Sequence, residues 1–153
     1  MLRLSKKADY ALIAVKHLAQ HEGTGSLSAR EIAEEYAIPT ELMAKVLQRL
    51  ARRGVLASQQ GTRGGYQLAR PAASISVADV IQAIDGPLTV TACSPEQGRC
   101  GQFSKCNVRD PLWRIRERII HALAECSVSE MVAEAAASEP RPAVPTSTLA
   151  LQP

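Results

Sequence analysis

A mostly helical fold carrying one small β-hairpin is predicted by three observations. Apolar residues recur at three- and four-residue spacing in several separate stretches. Those stretches are opened by hydroxyl or carboxylate residues and closed by Gly or Pro. A Gly-rich turn, Gly61-Thr62-Arg63-Gly64-Gly65, stands between the apolar run Val55-Leu56 and Tyr66, and signals a hairpin. Hydrophobic residues make up 46% of the 153-residue chain, enough for a core, but aromatics only 3%, so packing must rest on Leu, Ile, Val and Ala.

Taken in order, Ser5 is placed to cap a first helix with the apolar stripe Ala8, Leu12, Val15 and Leu18/Ala19, which Gly23 and Gly25 end. Ser28 with Glu31 three residues on is a capping box and opens a short second helix through Tyr36. Pro39 cannot continue that helix, and Thr40 beside it is read as the N-cap of a third helix running to Arg53. Leu42/Met43, Val46, Leu47 and Leu50 form its inward stripe, while Glu41, Lys45, Gln48, Arg49, Arg52 and Arg53 face outward. Helix, tight turn, helix and Gly-rich hairpin make a winged helix-turn-helix, a device for holding one helix against DNA.

Charge agrees with that layout. The formal net charge is only +3, which decides little, but between Thr40 and Arg70 the bases are Lys45, Arg49, Arg52, Arg53, Arg63 and Arg70 and the one acid is Glu41. A local basic field suits phosphate neutralisation. Such a run alone would serve equally as the solvated face of an amphipathic helix. The capped helix pair and the hairpin behind it are what favour a reading head.

Ile75 precedes Ser76, which opens a fourth helix with Val77, Val80, Ile81 and Ile84 on one face, stopped by Gly86-Pro87. From Leu88 to Asn107 periodicity is lost, and Cys93, Cys100 and Cys106 lie among Ser, Pro, Gln and Gly. Asp110-Pro111 is read as the start of a long helix to about Glu125. Leu112, Ile115, Ile119, Ala122 and Leu123 mark one stripe, and Trp113 and Ile120 a neighbouring one. So broad an apolar surface exceeds what a terminal helix of a small domain hides, which predicts packing against a second copy, a well-buried helix at home being the alternative. Ser127 to Met131 begins a last short helical turn. Pro140, Pro142, Pro145 and Pro153 then alternate with small residues, as expected of a disordered tail. The expected organisation is a winged helix-turn-helix domain over 1–86, a cysteine-containing loop over 87–109, a dimerisation helix and terminal turn over 110–134, and a tail over 135–153.

No apolar run approaches the roughly 20 residues that cross a bilayer, and the N-terminus lacks a signal-peptide pattern, so a cytoplasmic location is expected. Four cysteines in such a compartment are read as ligands or redox groups before disulfides. The C-x6-C-x5-C spacing is not the C-x2-C of a zinc ribbon. Three thiolates on one polar loop suit an iron–sulfur cluster, with a thiol redox switch, zinc or inert cysteines as the other readings. Cys126, beyond the long helix among apolar neighbours, is read as a small core residue. An enzymatic reading is weak: His17, His21 and His121 lie in helical stretches with no nucleophile pairing, and no phosphate-cradling loop precedes a helix.

Met1-Leu2-Arg3-Leu4-Ser5, Gly54-Val55-Leu56, Arg63-Gly64-Gly65-Tyr66, Ile75 to Asp79, and the three-cysteine loop before Leu112-Trp113 together resemble the IscR/NsrR-type (Rrf-type) winged-helix regulators. The likeness covers almost all of 1–132. Gly86-Pro87-Leu88 with Thr91-Ala92-Cys93 is most similar to members that regulate iron–sulfur assembly operons. The resemblance implies a homodimer, a palindromic operator in double-stranded DNA, and a cluster of two-iron or four-iron form, on Cys93, Cys100 and Cys106, whose state changes DNA affinity. IscR-like members supply a His ligand where this chain has Arg109, which is no ligand. Nitric-oxide-sensing relatives use an Asp on the partner's first helix, the place of Asp9, which would equally serve as an ordinary first-turn acid. Ala44 stands where IscR-like members carry an acid that discriminates operators. The expected DNA contacts are Thr40, Glu41, Lys45 and Gln48, with Arg49 and Arg52 divided between bases and phosphates and Arg63 at the wing tip. The competing readings are a nitric oxide or redox-sensing repressor of the same family, or a thiol or zinc module whose winged helix binds protein.

Overall fold

The computed structural model describes residues 4–88 and 100–138. Cys93, the segment 89–99 around it and the Pro-rich stretch from 139 lie outside the described residues. The order is α1 (Lys6–Gln20), α2 (Ala29–Glu35), α3 (Thr40–Arg52), β1 (Leu56–Gln59), β2 (Gly65–Leu68), a single 3-10 turn (Ala72–Ser74), α4 (Val77–Asp85), α5 (Arg109–Glu125) and α6 (Val128–Ala137).

Helix starts follow local chemistry. The Ser5 hydroxyl accepts from the Ala8 amide at 3.1 Å, a cap worth about 1 kcal/mol. Ser28 and Glu31 form the reciprocal box, as do Ser76 with Asp79 and Ser127 with Glu130. Thr40 is a correction. It is already helical, no side chain caps α3, and the Pro39 carbonyl accepts from the Leu42 and Met43 amides at 3.0 Å each. Proline's fixed φ lets its own carbonyl begin the helix, so Thr40 is freed from that task. The turn before it reverses at Ala37, whose φ is +51°, and closes by Ile38 donating to the Ala33 carbonyl at 2.9 Å.

The core is built from α1 (Ala8, Ala11, Ala14, Val15, Leu18), α2 (Ile32, Ala33), α3 (Met43, Val46, Leu47, Leu50), Val55, Leu56 and Ile75, with α4 covering it through Val80, Ala83 and Ile84. Each large aliphatic buried there contributes about 1.5–3 kcal/mol. The hairpin pairs Leu56 with Leu68 and Gln59 with Gly65, antiparallel. Leu27 extends it, exchanging backbone hydrogen bonds with Tyr66 at 3.0 and 2.7 Å. That approach is why residue 65 is glycine: a Cβ there would drive into the Leu27 carbonyl.

Helix α5 is different. None of its 17 residues is buried. Ile120 and Leu123 rest on Val77, Ile81 and Leu88, while Ile115 remains 45% exposed. The predicted start at Asp110-Pro111 is corrected: α5 begins at Arg109, and Asp110 gives its carboxylate to the Arg109 side chain at 2.8 Å instead of capping backbone. Beyond α5 the chain turns back. Val77 donates to the Cys126 carbonyl and Val128 to that of Ile75, each at 2.9 Å, tying the starts of α4 and α6 together. The expected short turn at Ser127–Met131 is a full helix through Ala137, past the boundary at 134, because a capping box starts it and Val128 anchors it in the core. No described helix is long and apolar enough to cross a membrane.

Candidate nucleic-acid interface and cysteine loop

The amphipathic division of α3 produces the first site. With Met43, Val46, Leu47 and Leu50 turned inward, Glu41, Lys45, Gln48, Arg49, Arg52 and Arg53 are left exposed, and Thr40 with them. A cleft runs along this helix. Lys45, Gln48, Arg49 and Arg52 line it from α3 over a floor of Leu42, Val46 and Ile84, and Lys7 of α1 closes the other side. No acid lines it, so its field is cationic throughout. Sequence reasoning missed Lys7, whose only signal was its place in a basic N-terminus.

Two of the predicted cations are partly committed elsewhere. Arg49 donates through Nε to the Ala83 carbonyl at 3.1 Å, which ties α3 to the end of α4. Arg70 pairs with Asp79 at 2.8 Å and bonds the Ser74 carbonyl, so its charge belongs to the α4 start and not to the head. Arg63 is exposed at the wing tip, where the Ser26 hydroxyl donates to its carbonyl at 2.9 Å. Behind the head, His17 Nδ1 meets the Tyr36 hydroxyl at 2.9 Å. Burial first, and then His21, push the His17 pKa below its ordinary value. His121 pairs with Glu125 at the surface.

The second site is the described part of the cysteine loop. Cys100 is exposed, Cys106 half-buried, and both are free thiols. Between them the backbone makes two tight turns, Phe103 donating to the Cys100 carbonyl at 3.0 Å and Lys105 to that of Gln102 at 2.9 Å. Arg109 reaches back from α5: Nη1 donates to the Phe103 carbonyl at 3.2 Å, and Cζ stands 4.6 Å from the centre of the Phe103 ring. Its pKa is raised, first by the hydrogen bond to Asp110 and then by the charge of that carboxylate. Soft thiolate donors beside this cation match the needs of an anionic iron–sulfur group in donor type and charge. Asp9 is exposed on the first turn of α1. Among the described residues no three of His, Cys, Asp and Glu come together, so one chain does not join Asp9 to Cys100 and Cys106. Cys126 is half-buried against Val77, Ile81 and Leu88, and burial raises its thiol pKa, as a packing residue requires.

A helix pair whose first member is opened by a capping box, a hairpin wing and a cationic cleft along the second helix define a winged helix-turn-helix of the DNA-binding type. The chain belongs to the Rrf2 family, described as an iron-dependent transcriptional regulator, which matches residues 4–134. It is 34% identical over 132 residues to the HTH-type transcriptional regulator IscR of Xenorhabdus nematophila, covering 86% of this chain and 79% of that protein. Among solved structures it is similar to IscR of T. potens (TM-score 0.69, 27% identity, 92% and 93% of the two chains). It is also similar to CymR of Staphylococcus aureus (TM-score 0.63, 29% identity, 84% and 96%).

Proposed function

We propose that this regulator works as a homodimer on a palindromic operator, and that an iron–sulfur cluster held by Cys93, Cys100 and Cys106 governs its grip on DNA, with iron–sulfur assembly genes among its targets. One observation carries the reading: the cysteine loop, α5, α4 and the reading head are in unbroken contact. The loop docks on the first residue of α5, α5 rests on α4, and α4 holds Arg49 of α3 through the Ala83 carbonyl. A change of order in the loop therefore has a contiguous path to the reading helix. Its size need only be a few kcal/mol of differential binding to switch occupancy.

In the dimer, Leu112, Ile115 and Ile119 of α5 pair across the two-fold axis, and the two α3 helices enter major grooves about one turn, ~34–36 Å, apart. Glu41, Lys45 and Gln48 read base edges, with Thr40 at their start. Arg49 and Arg52 share bases and phosphates, Lys7 adds a phosphate contact, and Arg63 grips the minor groove beside the wing. The cluster, when bound, supplies sensitivity to redox state, iron supply or reactive gases. The partner's Asp9 is the proposed fourth donor, a weak oxygen ligand suited to a sensor. Its exposure on α1 leaves the carboxylate open to a partner chain, as the nitric-oxide or redox-sensing alternative requires.

The test is oxygen-free purification followed by titration onto the chain's own upstream DNA. A coloured protein containing sulfide, whose DNA affinity changes when the colour is bleached, is expected. A colourless protein without sulfide after reconstitution would remove the cluster. Asp9→Ala with an unchanged spectrum and cluster lifetime would return Asp9 to being a first-turn acid. Binding to DNA that does not weaken steeply with salt would favour a protein-binding module instead.

A further inference from the structure

We propose that Arg109 is the positioning residue of the thiolate pocket: it folds the Cys100–Cys106 half in advance, so that this half is in place before any inorganic group arrives. The geometry is specific. Phe103 is the middle residue between the two cysteines, three positions from each, and Arg109 grips it twice, by its carbonyl and by its ring. The Asp110 carboxylate accepts from Nε of the same side chain, which orients the planar guanidinium so that Nη1 meets the carbonyl. Cys100 is bonded into the same unit, its carbonyl accepting from the Phe103 amide. Because Arg109 is also the first residue of α5, the turn unit is clamped to the end of a helix and cannot drift independently of it.

A guanidinium has no lone pair to offer a metal and stays protonated, so this residue cannot be a ligand. Its value is entropic. An open loop must lose backbone freedom when thiolates close on an inorganic group, and the clamp makes that loss beforehand. Lysine would not replace it, since one ammonium on a flexible stem cannot span the carbonyl, the carboxylate and the ring face together. The order of the loop stands on the contacts themselves; its consequence for cluster uptake rests on the reading above.

The experiment compares parent, Arg109→Ala and Arg109→Lys as full-length, metal-free protein, following amide exchange at Phe103 and Lys105, the two donors of the loop turns. Alanine is expected to speed exchange there by about tenfold, equivalent to about 1.4 kcal/mol, with exchange in α1–α4 unchanged. Lysine should recover only part of the protection. In oxygen-free reconstitution, Arg109→Ala should take up iron and sulfide several-fold more slowly than the parent at the same melting temperature of the head. Equal exchange in parent and Arg109→Ala would overturn the proposal, as would complete recovery by lysine. A parent that takes up no iron or sulfide would end the cluster reading alone, because the metal-free exchange still decides the role of Arg109.

Discussion

The head and the arm of this molecule are stabilised in opposite ways. Between α1 and α4 the chain buries Val15, Ile32, Met43, Leu47, Leu50, Ile75 and Ile81 to 0% exposure, and caps α1, α2 and α4 with its own hydroxyls and carboxylates. The arm, α5 with the described residues 100–108 before it, buries none of those residues and is held by one apolar strip, a few guanidinium contacts and the Ser76–Ser127 bridge at its far end. A head with its own core keeps its internal packing while the arm shifts beside it, so that what reaches the head is a change of placement passed through α4. An arm without a core takes its position from what lies against it, which is the physical requirement for a part that responds to a signal.

The largest expected effect breaks the head. Leu47→Ala should cost about 2–5 kcal/mol, read as a shift in the chemical-denaturation midpoint. A loss under about 1 kcal/mol would mean the head is not the tightly packed unit described. Next, Ile115→Asp should leave the head's melting temperature in place and weaken self-association by at least about tenfold, measured by sedimentation across dilution. A parent and variant that sediment alike as monomers would show that the exposed face of α5 is not a dimer contact. Smaller again, Lys7→Ala should make the salt dependence of DNA binding shallower by about one phosphate contact per bound chain, a slope change of ~0.9. An unchanged slope would take Lys7 out of the interface.

The smallest effect concerns pH. His17 is harder to protonate in the fold than in the unfolded chain, so the unfolded state binds the extra proton more readily. Stability is then full above the ordinary histidine value of 6.5 and falls as the pH drops below it, levelling once the folded residue also protonates. His17→Gln should flatten that part of the stability profile. A profile equally steep without His17 would assign the effect to another group.

Much of the head was legible because its signals are short-range. Ser5, the Ser28–Glu31 and Ser76–Asp79 boxes, the stripe of α3 and the stop at Gly86 are each readable within one or two turns of chain. The misreadings share a cause. Thr40 and Asp110 are plausible caps by type, but Pro39 already provides the carbonyl that starts α3, and Asp110 is taken by a neighbouring arginine. Arg70 counts as a head cation until Asp79 is found beside it, and Lys7 counts for nothing until α1 is laid along α3. Cys126 was readable as packing from its apolar neighbours, whereas the grip of Arg109 on Phe103 leaves no periodic trace.

The chain by itself determined where α1, α2 and α4 begin, which faces are apolar, and that three cysteines fall in one stretch without periodicity, since these depend on backbone chemistry and on spacings of a few residues. The tertiary structure alone decided which cations are tied to internal partners, that Lys7 completes the cleft, that α5 keeps an uncovered face, and that Arg109 holds the Cys100–Cys106 turns. Those outcomes depend on which side chains meet across long separations in sequence, and hydrogen bonds and ion pairs act only over the few ångströms that folding closes.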